Sequence, residues 1–119
     1  MPDSSVPAEA KMDFTQLASY LGYPVESHYV QTADGFILHM HHIGAKNATS
    51  FSSGVPVFFQ HGVLDSSDTW IVNDEDAAPG FIMANLGYDI WLGNNRGNRY
   101  STNHTSLDPS SAAFWDWTW

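Results

Sequence analysis

The chain has 119 residues, of which 43% are hydrophobic and 14% aromatic, and its formal net charge at pH 7 is −9. This composition is sufficient for one domain with a modest core and excludes a disordered chain. Only four residues are lysine or arginine and none is cysteine, which disfavours nucleic-acid binding and excludes disulfides and thiolate chemistry.

The first segment, residues 1–11, predicts a flexible leader because it is rich in serine, proline and acidic residues. It lacks the basic and apolar regions of a signal peptide. No stretch of the sequence reaches ~18 consecutive apolar residues, so we expect no transmembrane helix. Residues 12–119 are expected to form one folding unit, and the sequence leaves the cellular compartment open.

A short helix and a β-hairpin are predicted next. In "MDFTQLASYLGYP", Asp13 is a candidate N-cap, and apolar residues follow at helical spacing until Gly22 and Pro24 end the helix. The hairpin is predicted from two strand-like segments joined by Ala-Asp-Gly, near residues 27–32 and 36–43.

A strand–helix–strand unit follows the hairpin. The continuous apolar runs "VPVFFQ" and "YDIWLGN" are typical of strands buried on both faces of a parallel sheet, at residues 55–60 and 88–94. Between them, "DEDAAPGFIMANLG" predicts a helix whose acidic start, residues 74–76, suits the positive end of the helix dipole, and Gly87 marks its end. A long polar loop follows, and "SAAFWDWTW" predicts the start of another helix.

This order of elements predicts an α/β fold, an open sheet in which an antiparallel hairpin lies at the edge of a parallel unit. Ligands of such sheets bind outside the carboxyl ends of the strands. His61 and Gly62 follow the first parallel strand at that end, and Asn94, Asn95 and Arg96 follow the second. The sequence therefore places its candidate site at these two loops.

Several segments carry a family resemblance. "FFQHGVLDSSDTW", "FIMANLGYDIWLGNNRGNRYS" and "DPSSAAFWDWTW", with the upstream "YLGYPVESHYVQTADGFILHMHHI", resemble the acid lipase family of α/β-hydrolases, which includes gastric and lysosomal acid lipases and fungal steryl-ester hydrolases. The resemblance covers residues 12–119 and implies the incomplete N-terminal half of an α/β-hydrolase sheet. It implies hydrolysis of lipid carboxylic esters, triacylglycerols or steryl esters or both, through an acyl-serine intermediate and without a metal or organic cofactor.

The resemblance also implies roles for the loop after the first parallel strand. Val63 would offer a backbone N–H to the oxyanion formed during acyl transfer, Gly62 would allow close approach, and His61 would hold the loop through side-chain hydrogen bonds. The family usually has leucine at the position of Val63, a change that a backbone donor tolerates. Asp65 and Asp68 of the same loop are expected to be structural and to bond backbone N–H groups.

The family's catalytic nucleophile is not found in this sequence. It lies in a Gly-x-Ser-x-Gly elbow, followed in chain order by an acid and a histidine, and none of the nine glycines begins that pattern. We therefore expect this chain alone to be inactive, with the catalytic serine, acid and histidine in a missing C-terminal half. The alternative is a non-catalytic binding or dimerisation module derived from the hydrolase half-fold.

Three histidines on one predicted strand raise the question of a metal site. His39 and His41 share one face and His42 lies on the other, but no third ligand follows at usable spacing, so no metal is expected. We expect the histidines to be exposed and to alternate with Leu38 and Met40, which would face the core.

Three further features receive structural interpretations. Arg96 lies in a glycine-flanked turn and is expected to pair with an acid rather than to contact substrate. Residues two apart do not share a helix face, so packing in the complete fold, not lipid contact, is expected for Trp115, Trp117 and Trp119. The sequons at Asn47 and Asn103 are possible glycosylation sites only if the chain enters the secretory route, and family members are secreted, lysosomal or associated with lipid surfaces.

Overall fold

The computed structural model describes residues 5–118 of the chain. Within them α1 is Phe14–Tyr20 and α2 is Pro79–Asn85, and the strands β1 to β5 are, in order, Val25–Gln31, Phe36–Ile43, Pro56–Phe59, Asp89–Leu92 and Asn103–His104. The 3-10 helices are Ala8–Lys11, Ser67–Trp70 and Ala112–Trp115. The first has no buried residue, and the last stands where the sequence predicts another helix. The first four residues of the predicted leader and Trp119 lie outside the described residues.

Helix α1 begins where the sequence predicts it. The Asp13 side chain accepts a hydrogen bond from the backbone N–H of Gln16 at 2.8 Å, and the Gln16 side chain accepts one from the backbone N–H of Asp13 at 2.9 Å. This capping box satisfies two donors that the first turn would otherwise leave free. Phe14 and Ala18 are fully buried on the inner face, and Gly22 ends the helix in the left-handed region with φ 89°.

All five strands form one mixed sheet, with four in the order β1-β2-β4-β3 and β5 paired with β2. β1 pairs antiparallel with β2, β2 pairs antiparallel with β4, and β3 pairs parallel with β4. The predicted hairpin and parallel unit are therefore confirmed. Strand β5 is absent from the sequence prediction because it has only two residues, and these lie inside a polar loop.

The core lies between one face of this sheet and the two α-helices. Its buried members are Phe14, Ala18, Tyr23, Ile43, Ile71, Ala78, Phe81, Ala84, Ile90 and Leu92. Successive residues of a strand point to opposite faces, so the residues between these on β2 and β4 point away from the helices. We call that second side of the sheet the open face, and it carries Glu26, His28, Val30, Leu38, Met40, His42, Phe58, Asp89 and Trp91.

The prediction for the β2 histidines is wrong. His41 is fully buried and its ring stacks on Phe14 with 4.0 Å between centroids, whereas Leu38 and Met40 are only partly buried on the open face. The physical reason is that α1 covers the His41 face of β2. Strand alternation separates the two faces correctly, but it does not reveal which face the helix covers.

The predicted start of α2 is also wrong. The helix begins at Pro79 with Ala78 as N-cap, and no acidic residue lies in its first turn. Proline at the first helical position has the required φ and lacks only an N–H that would be unpaired there. The acidic residues 74–76 form a separate turn, in which Glu75 pairs with Lys46 at 2.7 Å. Gly87 follows the helix with φ 92°, as predicted.

Strand β3 is of the type that a complete parallel sheet buries on both faces, but here it lies at the edge of the sheet and is only partly buried. It pairs with β4 alone, and its other edge is bare within the described residues. Val55, just before the strand, is 66% exposed and Phe58 is 56% exposed. A continuous apolar strand with an unpaired edge offers hydrogen-bonding groups to any other strand.

None of the helices described between residues 5 and 118 is long and apolar enough to cross a lipid bilayer.

We expect the isolated chain to be associated or molten at micromolar concentration, because the β3 edge is both unpaired and apolar. It should bind ANS strongly and lack a sharp thermal transition. Phe58→Lys places a charge on this edge and should lower both the mass measured by light scattering and the ANS signal. Val72→Lys adds the same charge at a side chain that is 63% exposed outside the sheet, and it should change neither.

A monodisperse monomer with a cooperative melt and little ANS binding would contradict this expectation. It would instead favour the binding-module alternative.

Candidate functional site

Two loops meet at the carboxyl ends of the parallel strands β3 and β4. The His61 ring joins them: its Nδ1 donates to the carbonyl of Gly62 at 2.7 Å, and its Nε2 accepts from the backbone N–H of Asn95 at 3.0 Å. The side-chain amide of Asn98 also donates to Nε2, at 3.1 Å. Because Nε2 accepts from an N–H that can only donate, Nδ1 carries the proton. His61 is thus fixed in one tautomer and one orientation.

Asn94 forms the buried base of the site. Its Oδ1 accepts from the backbone N–H of Ser67 at 2.9 Å and from the Asn98 side chain at 2.8 Å. Its Nδ2 donates to the carbonyl of His39 and to the Ser67 hydroxyl, both at 3.1 Å. Asn94 is only 3% exposed, so these bonds replace water completely. The amide therefore ties β2, the loop after β4 and the 3-10 helix at Ser67 together.

The turn Gly62–Leu64 projects from this base into solvent. Val63 is 73% exposed and Leu64 is fully exposed, and a Cβ at Gly62 would meet no atom within 4 Å. The backbone of Leu64 has φ 62°, which is uncommon for a residue other than glycine. The backbone N–H groups of this turn donate to no acceptor within residues 5–118. They are free to bind an external acceptor.

A cavity of about 580 Å³ opens beside the turn. It is lined by both loops and by two of the C-terminal tryptophans, at His61, Val63, Leu64, Asp65, Ser66, Asn95, Arg96, Gly97, Asn98, Arg99, Trp115 and Trp117. The buried packing expected for the tryptophans in the complete fold stays a prediction, because Trp115 is 47% exposed here. Residue 97 must be glycine for these tryptophans to pack as they do, because a Cβ at that position would lie 2.6 Å from the Trp115 ring.

The two aspartates of the loop make different contacts. Asp65 accepts from the backbone N–H of Ser66 at 2.8 Å, as predicted. Asp68 was predicted to bond backbone as well, but its carboxylate binds side chains: Arg99 at 2.9 Å and the Tyr100 hydroxyl at 2.7 Å. Burial, followed by the hydrogen bond to Asp68, raises the pKa of Tyr100. Its hydroxyl therefore stays protonated and also accepts from the backbone N–H of Phe14 at 2.8 Å, which anchors α1 to the site.

A buried serine–histidine pair lies beneath the loop. His41 Nδ1 and the Ser67 hydroxyl are 2.9 Å apart, and both residues are fully buried. Burial is the main cause that lowers the pKa of His41 to about 3, with a further contribution from His39, while Asp13 opposes the change. Such a weak base cannot activate a hydroxyl near neutral pH, and no substrate can reach it. The pair is structural, and the sequence carries no local signal for it.

The remaining predicted residues are placed as follows. Arg96 pairs with Asp34 at 2.7 Å and lies 4.6 Å from the centre of the Phe36 ring, which confirms the predicted acid partner. Asn47 and Asn103 both have exposed side chains, and their glycosylation stays a prediction.

A mixed sheet with one parallel pair and two loops that converge at its carboxyl ends is the arrangement expected of the N-terminal part of an α/β-hydrolase sheet. A family profile described as a partial alpha/beta-hydrolase lipase region matches residues 14–74. The chain belongs to this lipase family of α/β-hydrolases.

Curated relatives agree with the family. The chain is 47% identical over 114 residues to lipase lipl-5 of Caenorhabditis elegans, an alignment of 93% of this chain and 28% of the relative. It is 46% identical over 109 residues to bovine gastric triacylglycerol lipase, covering 90% and 28%. It is 40% identical over 114 residues to human lysosomal acid lipase/cholesteryl ester hydrolase, covering 94% and 29%. The chain thus spans 28% to 29% of the length of these relatives.

The burial of His41 predicts that the folded chain loses stability at acidic pH. The unfolded chain protonates His41 below about pH 6.5, whereas the folded chain does so only near pH 3. Between these values the unfolded state binds more protons than the folded state. The contribution of His41 to the free energy of unfolding is therefore complete above pH 6.5 and is lost as the pH falls towards 3. The loss is at most about 1.4 kcal/mol of unfolding free energy per pH unit.

This is measured in a chimera in which residues 12–118 replace the matching segment of bovine gastric triacylglycerol lipase. Urea unfolding between pH 4 and 7 should show a smaller pH slope for His41→Gln than for the parent chimera. Ser67→Ala keeps the titrating ring and should lower the stability while retaining the slope. Equal slopes for the parent and His41→Gln would contradict the assignment.

Proposed function

We propose that this chain supplies the N-terminal part of a serine-dependent lipid ester hydrolase, with Val63 as one oxyanion-hole donor. The observation that carries the proposal is that the backbone N–H groups of the Gly62–Leu64 turn have no acceptor within residues 5–118. The turn lies beside a cavity at the carboxyl end of β3. Membership of the lipase family supports the reaction class. The names of the bovine and human relatives support triacylglycerols and cholesteryl esters as the substrate class.

The proposed chemistry requires a donor that does not move when charge develops. During attack by a serine hydroxyl on an ester, the carbonyl oxygen becomes negative, and an N–H that is already in position stabilises it without reorganisation. The hydrogen-bonded ring of His61 fixes the carbonyl of Gly62, which belongs to the same planar peptide group as the Val63 N–H. His61 thereby acts as a positioning residue, and Gly62 leaves the approach unobstructed.

The chain carries no Gly-x-Ser-x-Gly elbow, so the serine and its acid and histidine partners belong to the rest of the proposed enzyme. No cofactor enters the proposed reaction, because an acyl-serine mechanism needs only these groups and the oxyanion donors. Lipid esters are the proposed substrates of the whole enzyme and not of this chain alone.

We expect the 119-residue chain alone to show no hydrolysis of a p-nitrophenyl ester above the buffer blank. A fluorophosphonate probe should label none of its serines, and Ser67 is the decisive case because it has a histidine partner but is fully buried. Intact-mass spectrometry gives the labelled fraction. Stoichiometric labelling of any serine would show that the chain has its own nucleophile and would overturn the proposal.

The donor role of Val63 is tested in the chimera defined above. Val63→Pro removes the backbone N–H, although it also fixes φ at this position and restricts Gly62, and it should lower kcat by about 100- to 1,000-fold with little change in KM, since the oxyanion forms only in the transition state. Val63→Leu keeps the N–H and should stay within a few-fold of the parent.

Two controls separate this effect from misfolding. Asp65→Asn, in the same loop, should cost less than about tenfold, equivalent to ~1.4 kcal/mol of barrier. Thermal melting should be similar for all variants. A Val63→Pro chimera that melts normally and retains its kcat would contradict the assignment of the donor.

A further inference from the structure

The geometry points to a divalent zinc site on the open face of the sheet, formed by Glu26, His28 and His42. Each residue offers one ligand atom, and these three atoms lie within 4.8 Å of one another. The site joins β1 to β2 and is separate from the loops at the carboxyl ends of β3 and β4. It is also a different set from His39 and His41, which the sequence first suggested.

The register of the hairpin brings the three residues together. Glu26 is the direct cross-strand partner of His42, and His28 lies two residues along β1 from Glu26 on the same face. The two pairs have equal separations: Glu26 Oε2 is 3.4 Å from His28 Nε2, and Glu26 Oε1 is 3.4 Å from His42 Nδ1. Tetrahedral zinc with bonds of about 2.0–2.1 Å has ligand atoms about 3.3–3.4 Å apart, so each glutamate–histidine pair has the spacing of two ligands of one ion, through a different oxygen of Glu26 in each pair.

The tautomer and the ring orientation of His42 are those that a metal ligand requires. Its Nε2 donates to Asp89 Oδ1 at 2.5 Å, and Asp89 Oδ2 accepts from the Trp91 indole at 2.9 Å. This pattern leaves the lone pair on Nδ1, as in the carboxylate–histidine–zinc arrangement. The ring is stacked between Trp91 and Phe51, with centroids at 3.9 and 4.2 Å, so its direction is fixed.

Two nitrogen atoms of the cluster have no hydrogen-bond partner. His42 Nδ1 and His28 Nε2 are inaccessible to solvent and unpaired within residues 5–118, although each lies 3.4 Å from a Glu26 oxygen. The side chain of His42 is 8% exposed, so its unpaired atom is buried and directed into the cluster. Burying unpaired polar atoms is unfavourable, and a metal ion would satisfy both at once. The side chains of Glu26 and His28 are 43% and 40% exposed, which leaves a path for an ion.

Zinc suits this donor set better than magnesium or calcium. Two imidazole nitrogens and one carboxylate are the ligands of a borderline transition ion, whereas the two hard cations require oxygen ligands. A water molecule would complete the tetrahedron.

The test uses the chimera defined above with zinc or cobalt as the probe, because the isolated chain is expected to be associated or molten. The proposal expects about one zinc per chimera after equilibrium dialysis, measured by elemental mass spectrometry, and a tetrahedral absorption spectrum with Co²⁺. Glu26→Gln and His28→Gln should each lower the affinity by at least about tenfold, and Asp89→Asn by about 10- to 100-fold.

Matched controls remove one charge or one imidazole elsewhere. Asp76→Asn, in the exposed turn before α2, and His39→Gln, on the opposite face of β2, should retain zinc with unchanged affinity. Circular dichroism should show the same secondary-structure content in all variants, and the isosteric Glu26→Gln decides the result if His28→Gln unfolds. No retained zinc, retention insensitive to Glu26→Gln, or a six-coordinate cobalt spectrum would each overturn the proposal.

Discussion

The buried amide of Asn94 holds together the parts of the chain on which the candidate site depends. It bonds at once to β2, to the 3-10 helix Ser67–Trp70 and, through Asn98, to the ring of His61. A buried polar group left unpaired costs roughly 1–3 kcal/mol, so the three segments adopt one arrangement that satisfies all of these donors and acceptors. The position of the exposed turn Gly62–Leu64 is therefore set by the sheet beneath it, although the turn itself makes few contacts.

Features whose signals are local in sequence were predictable. The cap of α1 depends on Asp13 and Gln16, three residues apart, and the glycine after α2 marks a left-handed position that other residues avoid. The pattern of strand-like segments and turn residues predicted the hairpin, and the position of His61 at a strand end indicated the two loops that it joins. Arg96 was predictable for another reason: a cation in an acidic chain finds a carboxylate partner.

The failures share a physical cause, which is that strand periodicity does not say what covers each face. The burial of His41 depends on Phe14 of α1 and on Tyr100, whose rings lie 4.0 and 5.0 Å from it. Both partners are distant from His41 in sequence, and the same holds for Asp89, which orients His42 from 47 residues away.

Strand order and sheet face separate the proposed zinc cluster from the candidate active site. The cluster joins β1 to β2 on the open face, where His42 lies opposite Trp91 of β4. The turn at Val63 follows the carboxyl end of β3, which is the strand at the other end of the order β1-β2-β4-β3. An ion that ties β1 to β2 would stabilise the hairpin that pairs with β4, without contacting the oxyanion turn. The two proposals share no residue, so either can fail without affecting the evidence for the other.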